Sequence, residues 1–184
     1  MHEYTRQCKL LEVFRNIGSK QLIESFEQCF ESGQQPANLR TDNGGVWCLP
    51  KWDTWTKGSQ ILLRKTPLGC PWENGSIESL IGKLRESLMD RVEFAGIADA
   101  NYQAQRWKEH YNKVRPHHLL QRKCPDEFAK LQKKFRKQFL LPESTASNNA
   151  SRMVMLGATT KTLSWPSLKG NKLIRPFFPQ PTGI

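Results

Sequence analysis

No apolar run in this chain approaches the roughly eighteen residues that a membrane-spanning helix needs. The charged first ten residues predict that no secretory signal opens the chain. The five cysteines, at positions 8, 29, 48, 70 and 124, are odd in number and include no C-x-x-C pair. Neither a disulfide framework nor a zinc knuckle follows from them. His117 and His118 lie near Cys124, but no second cysteine is close and the spacing fits no zinc pattern. No internal repeat is visible. Acid is nearly absent from residues 131 to 184, where Glu143 stands against nine lysines and arginines. These absences predict a soluble, cytoplasmic protein with no membrane partner.

What is present bounds the answer further. A chain of 184 residues with 38% apolar content is long enough and apolar enough to bury a sizeable core. The net charge of +11 divides unevenly, with +8 in residues 131 to 184 and +3 in residues 1 to 130. A basic segment of that kind suits phosphate backbones, because each neutralised phosphate releases counterions. It equally suits a solvated segment with no ligand, and composition leaves both readings open.

Along the chain, Cys8 to Phe14 reads as a strand. Ser19 can cap a helix to about Glu31, with Leu22, Ile23, Phe26, Cys29 and Phe30 as its apolar stripe and Gly33 as its stop. Asn38 to Thr41 is a short strand. Leu49 to Lys57 is a short helix ended by Gly58, and Gln60 to Lys65 is a buried strand. Pro67 to Gly75 is a loop. A helix follows with Ile77, Leu80, Ile81, Leu84 and Leu88 on one side. Another runs from about Ala100, capped by Asp99, to Asn112, anchored by Tyr102, Trp107 and Tyr111 and ended by Pro116. Trp72 and Trp107 read as packing residues. A basic helix continues from Leu131 to Gln138. Leu141 to Ser151 reads as a polar linker, and the proline-rich end from Trp165 as disordered. Alternating strands and helices predict an α/β sheet with helices packed on it.

Six short words carry more than this periodicity does. They are Glu3-Tyr4-Thr5-Arg6-Gln7-Cys8, Thr41-Asp42-Asn43-Gly44, Pro71-Trp72-Glu73-Asn74-Gly75, the run from Glu78 to Arg85, the run from Tyr111 to His117, and Pro125-Asp126-Glu127-Phe128. Asp42 follows a strand, 35 residues separate it from Glu78, and Arg85 lies seven beyond. Seven steps of about 100° return a helix nearly to its starting angle, so Glu78 and Arg85 share a face. In this order the words resemble the integrase core of bacterial insertion-sequence transposases made from two overlapping reading frames, over roughly residues 3 to 129.

The resemblance implies a ribonuclease-H-like core in residues 1–129, followed by a basic tail in residues 130–184. It also implies DNA cleavage and strand transfer by metal-dependent phosphoryl transfer. Asp42 and Glu78 match two of three carboxylates that hold Mg²⁺ or Mn²⁺, and so count as candidate catalytic and metal-binding residues. Lys83, Arg85, Arg115 and His117 are the candidate DNA contacts. The family's first carboxylate sits on a strand ahead of the Tyr4 word, so the expectation is a core lacking its first two strands. The strand at Asn38–Thr41 is then expected to have an open edge. The implied partners are DNA, further copies of this chain and a separate helix-turn-helix subunit, in a nucleoid-associated setting. The alternative is a catalytically inactive nucleic-acid-binding remnant that binds through its tail and a Lys83/Arg85 face. Taken one at a time, Asp42 reads equally as an Asx-turn residue, Glu78 as an N-terminal helix carboxylate and Arg85 as a solvated residue.

Overall fold

The computed structural model describes residues 1–31, 35–67, 69–139 and 153–155. The elements run α1 (Ser19–Glu31), β1 (Asn38–Thr41), α2 (Pro50–Gly58), β2 (Leu62–Lys65), α3 (Gly75–Leu84), α4 (Ile97–Lys113), α5 (Pro125–Phe139) and β3 (Met153–Met155). Short 3₁₀ turns precede α2 and α3, and α3 runs directly into a π-helical turn at Arg85–Met89. No helix among the described residues is long and apolar enough to cross a membrane.

The three strands form a parallel sheet in the order β2-β1-β3. Asn38 stands opposite Leu62 on one side and Met153 on the other. The edge of β1 that the sequence leaves open is therefore covered, by a strand from the basic tail. That pairing satisfies backbone groups that an open edge would present to solvent or to another chain. Gln60–Lys65 corrects the reading in the other direction. It is an edge strand of the described sheet from Leu62, with Leu62 54% exposed, Leu63 packed on the core and Ile61 buried just before the strand.

The segment Cys8–Phe14 forms no strand. Its backbone is instead paired with side-chain amides of α4. Asn112 Nδ2 donates to the Cys8 carbonyl and Asn112 Oδ1 accepts the Cys8 N–H, both at 2.9 Å. Asn101 does the same for Val13, at 2.8 Å each way. Gln105 donates to the Leu11 carbonyl at 2.6 Å. Residues 101, 105 and 112 lie on one side of a helix, since four and eleven steps of about 100° both return close to the start. An alternating segment thus finds its partners on a helix face.

Two apolar clusters hold the elements together. One joins Cys8, Ile77, Leu80, Leu88, Trp107 and Tyr111, and packs α3 against α4. The other joins Leu22, Phe26, Leu39, Trp47, Trp52 and Ile61, and packs α1 and α2 against β1. Trp52 is 0% exposed, with Trp47 at 4.9 Å and Phe26 edge-on at 5.8 Å between ring centroids. Two anchors named from sequence are not anchors: Tyr102 and Trp72 are both exposed. Helix α4 begins three residues before the expected start, at Ile97. Asp99 lies in its first turn and accepts the Ala95 N–H at 3.0 Å, rather than capping from outside. The expected stop at Gly33, the linker from Leu141 to Ser151 and the end from Trp165 lie outside the described residues.

Candidate functional site

Asp42 sits where β1 ends, half-buried. Its Oδ1 accepts the Gly44 N–H at 3.0 Å, which is the Asx-type turn that Asp-x-Gly favours. A Cβ on Gly44 would lie 3.0 Å from that same oxygen, a tight approach that would make the carboxylate shift by a few tenths of an ångström. Asn43 Nδ2 donates to the Thr66 carbonyl at 2.8 Å and ties the turn to the residue after β2. The Thr66 N–H continues the ladder to the Thr41 carbonyl at 2.9 Å. The Thr66 hydroxyl lies 3.1 Å from the Thr41 carbonyl and 2.9 Å from Asn74 Oδ1, and its single proton serves one of them at a time. Asn74 precedes α3, and Glu78 is exposed in the first turn of that helix. Thr66 therefore links the end of the Asp42 strand to the start of the Glu78 helix.

Arg40 braces the same region. Its Nη1 lies 3.4 Å from Glu73 Oε2 and 4.0 Å from Glu3 Oε1, and its side chain is largely buried. Glu3 is thus engaged with Arg40, which gives it a structural role. Among the described residues, no group of three or more His, Cys, Asp or Glu side chains gathers closely enough to hold a metal. Asp42 and Glu78 offer carboxylate oxygens, the donor type that hard divalent cations take. Their donor chemistry fits such a cation, and two ligands are short of a complete protein-built centre.

The cations named from sequence divide into two places. Residues 83 and 85 are two helical steps apart, about 200°, so they point to opposite sides of α3 and share no face. Lys83 Nζ donates to Ser79 Oγ at 2.8 Å. Burial, and then the charges of Arg115 and Arg6, hold its ammonium below the ordinary lysine value. His117 lies edge-on to Tyr111, with centroids 5.1 Å apart. Burial, reinforced by Lys83, Arg115 and Arg6, pulls its pKa down to about 4, so the imidazole is neutral at pH 7. The Tyr111 phenol is pushed up to about 12, mainly by burial. The charges of Lys83 and Arg115 are thus felt at His117, while Arg85 is exposed at the first position of the π-helical turn.

Sequence reasoning missed Arg6 and Thr66. Arg6 lies in a named word, but its left-handed backbone (φ 59°) is invisible in the letters. A loop closed by His2 N–H to the Gln7 carbonyl (2.8 Å) and Arg6 N–H to the His2 carbonyl (2.9 Å) sets that conformation.

Comparison with known proteins bears on this geometry. Residues 59–125 match the integrase core domain family. A 39.2 kDa protein of insertion element IS476 from Xanthomonas euvesicatoria is 30% identical over 129 residues, covering 69% of this chain and 37% of that protein. A 31.7 kDa protein of insertion element IS407 from Burkholderia multivorans is 27% identical over 127 residues, covering 69% of this chain and 46% of the relative. The chain thus spans less than half the length of these two relatives. The catalytic core domain of BIV integrase superposes with a TM-score of 0.51 at 18% identity, over 69% of this chain and 80% of that one. At that identity the likeness speaks for the fold alone. Sequence and fold converge on one family: the chain carries an integrase core of the insertion-element type.

Proposed function

We propose that this chain acts on DNA as the core of a transposase, with Asp42 and Glu78 as the carboxylates directed at Mg²⁺ or Mn²⁺. The observation that carries the reading is the Thr66 link, which ties the strand end bearing Asp42 to the start of the helix bearing Glu78. When bound, the cation supplies positive charge to the phosphoryl oxygens. The chain's own part is to hold two carboxylates on braced backbone. Asp42 is fixed by its Asx turn, and Glu78 stands where a helix N-terminus favours an anion. DNA phosphate and water complete the ligand shell. Lys83, Arg115 and His117 face the DNA backbone, and Arg85 meets it from the other side of α3. The working assembly is a cytoplasmic homo-oligomer with a separate helix-turn-helix subunit that reads the element's ends. Residues 1–129 form the core, and residues 130–184 add basic contacts.

A second reading is a DNA-binding protein without catalysis. The pair of carboxylates without a third among the described residues favours it. Nicking of supercoiled plasmid by the full chain, with Mg²⁺ or Mn²⁺ and with chelator, decides between the two. The transposase reading expects cation-dependent nicking that falls to background in Glu78→Gln and Asp42→Asn. DNA retention with no nicking under either cation leaves the second reading.

A further inference from the structure

Arg40 joins two other stretches of the chain to β1. It stands on that strand two residues before Asp42. Its Nη1 lies 3.4 Å from Glu73 Oε2 and donates to the Glu73 main-chain carbonyl at 3.4 Å. Glu3 Oε1 is a looser partner at 4.0 Å. Glu73 belongs to the 3₁₀ turn Pro71–Asn74, which runs straight into α3 at Gly75 and so to Glu78 in its first turn. The arginine therefore grips the base of the helix that bears Glu78, from the strand whose end bears Asp42.

This contact differs from an ordinary surface pair. The Arg40 side chain is only 17% exposed, so solvent and salt screen it less than a free guanidinium. One nitrogen serves both the carboxylate and the backbone of Glu73, and the backbone contact fixes the course of the turn itself. Asn74 holds the N-cap position of α3, yet its side chain does not cap the helix. Its Oδ1 lies instead 2.9 Å from the Thr66 hydroxyl, which is 3.1 Å from the Thr41 carbonyl. The start of α3 is thus placed by ties that lead back to β1, one charged at Arg40 and one neutral through Thr66, where a side-chain cap would otherwise define it. A cation held by carboxylates from two elements depends on such outer contacts, because they set where each ligand stands.

We propose that Arg40 is a positioning residue for the metal site: by holding Glu73 it sets the start of α3, and with it the place of Glu78 relative to Asp42. The proposal rests on the metal reading above and gives Arg40 a part in it that touches neither cation nor DNA.

Mn²⁺ binding to the full chain is followed by water-proton relaxation, counting the part that Glu78→Gln removes. The Mn²⁺ concentration that half-saturates plasmid nicking is measured on the same preparations. Arg40→Met removes the charge at similar length, Glu73→Ala removes its nearer acid, and Glu3→Gln alters the looser one. Arg40→Met and Glu73→Ala are each expected to weaken Mn²⁺ binding about 10–100-fold, the range for losing an outer partner of a metal ligand. The double variant is expected to be no worse than the poorer single, because the same contact is lost in all three. Arg40→Lys keeps the charge and is expected to recover part of the loss, and Glu3→Gln to bind as the unsubstituted chain does. A merely structural role would lower the nicking rate at saturating Mn²⁺ without moving the half-saturating concentration. Unchanged Mn²⁺ binding in both Arg40→Met and Glu73→Ala, losses that add in the double variant, or an equal loss in Glu3→Gln overturns the positioning role. If the unsubstituted chain shows no Mn²⁺ binding that Glu78→Gln removes, the metal reading fails and the proposal falls with it. If that binding is present and both variants keep it, the proposal alone fails. Far-ultraviolet dichroism confirms that each variant is folded, and Glu73→Ala carries the test if Arg40→Met is not.

Discussion

The side-chain amide of Asn112 pairs with both backbone groups of Cys8, at 2.9 Å in each direction. It imitates one rung of a strand ladder from the side of a helix. Asn101 repeats the arrangement at Val13, so the segment after the Arg6 turn is fixed to α4 at both ends. This attachment holds the segment that follows the Arg6 turn beside the end of α4.

Asn112→Leu removes both partners of Cys8 without restoring water access. Two stranded backbone groups cost about 1–3 kcal/mol each, so the expected loss is at least about 2 kcal/mol. Urea denaturation reads this directly. A midpoint equal to that of the unsubstituted chain would show that the amide pair contributes nothing.

Trp52 and Trp72 separate sharply. Trp52→Ala empties the centre of the α1–α2 cluster and is expected to cost about 3–5 kcal/mol. Trp72 is 72% exposed, and its replacement by alanine is expected to stay within about 0.5 kcal/mol. Comparable losses for the two would contradict this assignment of the core.

Thr66→Val keeps the shape and the backbone N–H to Thr41 but removes the hydroxyl near Asn74. The expected cost is about 1 kcal/mol. The more telling readout is hydrogen exchange at the first amides of α3, which should quicken relative to those of α4. Unchanged exchange there would sever the proposed link between the Asp42 and Glu78 elements.

His117 titrates near pH 4 in the folded chain against an ordinary 6.5. Between those values the unfolded chain binds more protons, so stability rises with pH through that window. The contribution is present above about pH 6.5 and is lost as pH falls toward about 4. His117→Gln should flatten that part of the pH dependence of the urea midpoint. An imidazole resonance with a midpoint at 6.5 would refute it.

Helix α1 and strand β1 were legible from the letters, because an apolar stripe at helical spacing and a Gly-bounded strand leave little choice. The Asp42 turn was legible too, since Asp-Asn-Gly-Gly has few other uses. Cys8–Phe14 misled, because its alternation is the same whether the partner is a strand or a row of amides. Residues 83 and 85 looked like one basic patch, though the helical angle already argued against it. The Arg6 turn could not be found, since it depends on a positive φ that the letters do not show. The pairing of β3 with β1 is a long-range event that no local pattern announces.

That pairing also sets an order of events in time. Helices α1 to α5 and the contacts among them involve residues that are synthesised before Met153–Met155. Until then β1 has, among the described strands, only β2 beside it, and a bare parallel edge waits on the long closure from Asn38 to Met153. Synthesis therefore passes through a stage in which a half-paired strand is open to a neighbouring nascent chain, and crowded expression should convert more of the product into aggregates than slow expression does.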